Sequence, residues 1–189
     1  MRVFLAALLG TIVIFLWEFV AHMLLPVGEM GMRLPVNEDV VLQAVATGLP
    51  QPGIYMLPSI DPAKMSDVPT VKAYSEKTKT NPFAFVVVSS AGQDMTNMGP
   101  NLAKQFGSDF LGALIVALLL GATTWTFGER VLGSVGFGVF GWMENIVPQW
   151  NWYRFPPDFM LGNLIEQGVG WLLAGIAIAW WLGRRRRRR

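Results

Sequence analysis

The chain has 189 residues, of which 52% are hydrophobic and only 15% charged, against about 25% charged in soluble domains; with a mean hydropathy of +0.40, part of its solvent must be lipid. The formal net charge of +2 rests on a terminal run, because Arg184, Arg185, Arg186, Arg187, Arg188 and Arg189 supply six of the fifteen Lys and Arg; the rest is net negative, which excludes a basic nucleic-acid-binding face. There is no cysteine, so disulfides, thiolate metal sites and cysteine nucleophiles are excluded.

Residues 1–25 open with Arg2 and an apolar run long enough to span about 30 Å of hydrocarbon. A signal peptide would end sooner and at a small-x-small site. This run carries Trp17, Glu18 and His22 near its end, so a retained transmembrane helix is expected.

Residues 26–105 differ in kind. From Glu29 to Lys104 they hold six basic and seven acidic residues. Asn37, with Glu38 and Asp39 behind it, reads as an N-cap opening a helix to about residue 47. Residues 53–57 suit a short strand. Ser66 and Asp67 precede a second polar helix over 68–79. The aromatic and β-branched run 83–90 is a stronger strand, expected to pair with 53–57. A small α+β domain follows, inserted between the first and second spans.

Three further spans are expected at about 106–127, 131–147 and 159–182. Gly128, Glu129 and Arg130 would form a short connection, and residues 148–158 a tight aromatic loop. The fold class is thus a membrane all-α bundle of four transmembrane helices with a small extracytoplasmic α+β domain. With four spans, Arg2, Arg130 and the arginine run share one side. The positive-inside rule makes that side cytoplasmic, termini included, in an inner (plasma) membrane. Trp150, Trp152, Tyr153 and Phe155 suit an outer aromatic belt, Trp180 and Trp181 an inner one. The arginine run should bind anionic lipid.

Ionisable side chains inside spans are costly. Here Glu18 and His22, four apart, share a helix face; Asp109 opens the second span; Glu144 and Asn145 end the third; Asn163, Glu166 and Gln167 begin the fourth. At about 1.5 Å per residue these fall in one layer of the outer half. Such a layer could be a hydrogen-bonded device that fixes helix register, a proton or cation pathway, or a divalent-metal site built from Glu18, His22, Glu144 and Glu166. No resident cofactor is required. The inner halves offer only hydroxyls such as Thr11, Thr123 and Ser134, which favours a dead-end pocket.

Two stripes of small residues, Ala113, Ala117 and Gly121 on the second span and Ser134, Gly138 and Gly141 on the third, would let helices approach closely. They suit a hairpin across residues 128–130 or a homodimer face. Met30, Met32, Met95 and Met98 suit adaptable packing or, as thioethers, copper. No nucleotide loop or hydrolase motif occurs, and nothing points to an enzyme. The expected function is that of a non-enzymatic accessory or interaction subunit, contacting a protein partner or a second copy through its outer domain. The alternative is an ion- or proton-handling protein.

Overall fold

The computed structural model describes residues 1–90, 92 and 94–184. The chain is mostly helical, with one two-stranded sheet among the described residues. It forms two units, one of Met1–Met32 with Met95–Arg189, the other Arg33–Asp94. Residues 26–32 and 95–105, expected in the inserted domain, therefore belong to the helical unit.

The helical unit begins with α1 (Arg2–Phe19), which runs into a π-helical turn at Val20–Leu24. After the second unit the chain returns as α4 (Gly99–Ala122), α5 (Phe127–Tyr153) and α6 (Pro157–Gly183). α1 packs between α4 and α6, and α6 packs on α5. Ala6, Ala7, Val116, Ala117, Leu120, Ile178 and Leu182 form the core where α1, α4 and α6 meet.

Among the described residues, three helices are long and apolar enough to cross a membrane: Arg2–Leu24, Gly99–Ala122 and Pro157–Gly183. Only 28, 22 and 28% of their apolar windows is buried. Most of that apolar surface faces outward, the pattern that lipid solvates. α5 is as long as α6 but is not among the three, since Glu129, Arg130, Glu144 and many glycines lower its hydropathy.

Several boundaries correct the sequence reading. α4 starts at Gly99, with Pro100 in its first turn, rather than at residue 106. The connection to α5 is Thr123–Thr126, not 128–130. Thr126 caps α5: its hydroxyl accepts from Glu129 N (3.4 Å), and Glu129 Oε2 accepts from Thr126 N (2.6 Å). This reciprocal box draws Glu129 and Arg130 into the first helical turn. At the other end α5 passes through Pro148 and absorbs most of the expected aromatic loop. It stops at Arg154, whose left-handed φ of 58° turns the chain into Pro156 and α6.

The small-residue stripes do not pack on each other as a hairpin. Ala113 and Ala117, fully buried, belong to the face α4 sets against α1. The α5 stripe meets α6: a Cβ on Gly138 would lie 2.8 Å from Gln167 O, and one on Gly175 2.5 Å from Ser134 Cβ. Ser134 Oγ uses that closeness to donate to Trp171 O (2.8 Å).

In the second unit, α2 (Glu38–Gly48) is capped by Asn37, whose Oδ1 accepts from Val40 N (3.2 Å). Asp67 caps α3 (Val68–Thr80) by accepting from Thr70 N (3.1 Å). Strands β1 (Gly53–Leu57) and β2 (Ala84–Val88) pair antiparallel, with Ile54 opposite Val87 and Met56 opposite Phe85. The local rules of capping and strand pairing are obeyed, yet burial is almost absent. Among the described residues of this unit, only Pro58 is buried.

Candidate functional site

The site is built where α1 ends. The π turn closes with Leu25 N donating to Val20 O (2.9 Å), and such turns widen a helix locally. Beyond it the chain folds back, with Gly28 N donating to Ala21 O (3.1 Å). A Cβ on Gly28 would lie 2.1 Å from His22 Nδ1, so the imidazole rests against bare backbone. Gly31, at φ +87°, lies against Phe159, and Gly162 against Val27 O. These three glycines let residues 25–32 lie on the start of α6 and hold His22 in place.

α1 offers polar groups to both neighbours. Towards α6, Trp17 Nε1 donates to Glu166 O (2.8 Å), and His22 Nε2 lies 2.9 Å from Glu166 Oε1. Glu166 is thus gripped at backbone and side chain together. Towards α4, Gln105 Nε2 donates to Glu18 Oε1 (3.1 Å) and, one turn along its own helix, to Asp109 Oδ1 (2.9 Å). Both N–H groups of one amide are spent on two carboxylates. Asp109 is 9% exposed, with Gln105 and Glu18 as its side-chain partners.

Two cavities meet at Glu18 and Glu166. One, of about 470 Å³, has Glu18, His22, Gln105 and Glu166 in its lining, with Phe15, Phe19, Met23, Met98 and Leu102 around them. The other, of about 290 Å³, runs along Ile14, Trp17, Gly170 and Trp171, with Asn163 and Gln167 as further polar groups. Glu18 and Glu166 line both, and neither lining contains Lys or Arg.

The structure therefore gathers Glu18, His22, Asp109 and Glu166, with Asn163 and Gln167 close by. Asn163 Nδ2 is engaged by Phe159 O (2.9 Å). Glu144 and Asn145 stand apart, exposed on α5, with Asn145 Nδ2 donating to Gly141 O (2.9 Å). The metal set that included Glu144 does not assemble. Among the described residues no group of three or more His, Asp and Glu is arranged to hold a metal ion. Of the arginine run, Arg184 is described: its guanidinium lies 4.1 Å from the ring centre of Trp180, a cation–π geometry. Arg185, Arg186, Arg187, Arg188 and Arg189 lie outside the described residues.

Sequence reasoning missed Gln105 and the part played by Trp17. Gln105 falls at the edge of the polar segment 26–105 in sequence, although Gln and Asp four apart are a known helix pair and signal its role. Of the inner hydroxyls, Thr11 Oγ1 donates to its own helix at Ala7 O (2.9 Å), and Ser134 Oγ to Trp171 O. Comparison with protein-family models, curated proteins and solved structures finds no match to this chain.

Proposed function

We propose that this chain is a multipass inner-membrane protein that works as a non-enzymatic interaction subunit, docking a partner through residues 33–94. The observation that carries this reading is the near absence of a core there. A domain of about sixty residues is marginal even when it buries about 60% of its unfolded surface, and a two-stranded sheet is marginal alone. This unit buries Pro58 and little else. One sheet face presents Ile54, Met56 and Val87, which are 67, 47 and 68% exposed, and Leu34, Val36 and Val40 are exposed as well. Apolar surface on that scale marks an interaction surface.

In this reading α5 is the fourth span, bringing both termini to the cytoplasm and residues 33–94 to the outer face. Contacts that support it are Trp181 Nε1 with Arg2 O (3.2 Å) and Arg130 Nη2 with Thr123 O (3.2 Å), since they gather Arg2, Arg130 and the start of the arginine run near one end of the helices. The test is Ile54→Asp and Val87→Asp, each in the full chain. Each is expected to weaken partner association about tenfold or more, read as loss of a higher-mass band on native gels, with membrane insertion unchanged. Unchanged association in both variants would reject the reading.

The Glu18, Asp109, Glu166 and His22 cluster supports a second reading, ion or proton handling at the outer end of the helices. Its observation is that Glu18 and Glu166 line both cavities, whose linings hold no Lys or Arg.

A further inference from the structure

We infer that the outer edge of β1 takes an extended, uncharged apolar segment of the partner, which adds to the sheet as a third strand. The inference rests on the reading of residues 33–94 as a docking unit and names the chemistry of what docks.

β1 pairs with β2 along one edge, and among the described residues no strand pairs with the other. In an antiparallel pair alternate residues send their N–H and C=O to the neighbour, and the rest send theirs outward. Among the described residues no turn, loop or helix end supplies backbone partners to those outward groups. Such an edge is a template for another strand, and proteins usually blunt it with Lys, Pro or a bulge. Gly53–Leu57 contains neither Lys nor Pro, and its five residues pair one to one with β2, without a bulge. The edge is left open.

A cavity of about 490 Å³ runs along it. Side chains of a strand alternate between faces, so a cavity over one face of the sheet would touch every second residue. This one is lined by Ile54, Tyr55, Met56 and Leu57 in succession and, among the described residues, by none of β2. It therefore lies beside the strand. Gly48 and Leu49, where α2 ends, line it as well.

Backbone and charge together select the occupant. A helix satisfies its own backbone and has nothing to offer an open edge. An extended segment carries donors and acceptors at the repeat of the strand, which is how peptides are bound by strand addition. The described lining holds no Asp, Glu, Lys or Arg, so a charged segment would lose water and gain no counter-charge. An apolar one would extend the exposed face of Ile54 and Met56. A third strand also supplies what a two-stranded sheet lacks for stability of its own.

The test uses the full chain in nanodiscs. The chain has no cysteine, so Ser59→Cys places a single thiol in the groove lining. The probe is a short peptide of alternating Val and Thr, joined through Gly-Gly to a cysteine at either end so that both strand directions are sampled. Two further peptides carry N-methyl groups, one on the even residues and one on the odd, so that each lacks the donors of one edge. Disulfide exchange against mercaptoethanol measures how firmly each is held, because the tether makes even weak docking intramolecular. The parent and one methylated peptide should withstand about tenfold more reductant than the other, as loss of a few hydrogen bonds implies. Hydrogen exchange should slow at alternate amides of Gly53–Leu57 while the parent is held. Leu49→Cys, also in the lining, repeats the measurement should Ser59→Cys fail to insert. Equal retention of all three peptides, loss of both methylated forms, retention no better than that of the bare Cys-Gly-Gly tether, or unchanged exchange at Gly53–Leu57 overturns the inference. It falls alone if Ile54→Asp and Val87→Asp still weaken partner association, and together with the docking reading if they do not.

Discussion

The imidazole of His22 and the carboxylate of Glu166, 144 positions apart in the chain, meet at 2.9 Å. The π turn that carries His22 leads it to α6, while Glu18, one turn earlier, is held by α4 through Gln105. One helix end thus ties two neighbours together, and the tie can be measured.

Gln105→Ala removes the donor shared by Glu18 and Asp109. Stability is expected to fall by about 1–3 kcal/mol, the range for hydrogen bonds to charged groups. In an Asp109→Ala background the same change should cost less, because one acceptor is gone. Equilibrium unfolding in mixed micelles gives the double-mutant cycle. Additive costs would mean that the shared amide does not couple the two acids.

Close approach of α5 and α6 depends on Gly138. Its Cβ would meet Gln167 O at 2.8 Å, and a backbone atom cannot rotate away. Gly138→Ala is expected to destabilise by about 1–3 kcal/mol, as overpacking does. Gly136 faces open space, so Gly136→Ala should be neutral or gain up to about 1 kcal/mol from helix propensity. Equal effects at the two positions would contradict the packing described.

The four-span topology predicts that the ends of α5 lie on opposite sides of the membrane. Because the chain has no cysteine, single replacements report cleanly. Trp152→Cys, at a position 73% exposed, should react with a membrane-impermeant maleimide in intact cells. Phe127→Cys should react only after permeabilisation. Labelling of both from outside would reject α5 as a span.

Much of the local structure was legible in the sequence because it depends on neighbours in the chain. Asn37 and Asp67 cap the helices their side chains suggested, and β1 pairs with β2. The ends of α4 and α5 were not legible from apolar content. A hydropathy minimum at Gly128, Glu129 and Arg130 suggested a loop, but the Thr126 capping box makes it a helix start. The run of Trp, Asn and Tyr after Pro148 suggested another loop, yet proline in this helix did not stop it. The site was legible as a set of acids and one histidine at similar depth. Its partition was not, because helix order decides it: Glu18 and Glu166 flank cavities beside α1, whereas Glu144 sits on α5, which packs against α6 and away from α1. Gln105 was lost with the wrong start of α4.

Expressed without the helices, residues 33–94 should lack a cooperative thermal transition, since a unit whose described residues bury only Pro58 cannot offset its chain entropy. Circular dichroism on heating checks this. A sharp transition would show a unit that needs no partner surface for its stability.

The central claim, that residues 33–94 dock a protein, is tested most directly by a photo-crosslinking amino acid at Ile54 in native membranes. The account predicts one discrete protein adduct, lost when Val87, opposite Ile54 on the neighbouring strand, is changed to Asp. Efficient photolysis that yields no protein adduct, or an adduct indifferent to Val87→Asp, would contradict it.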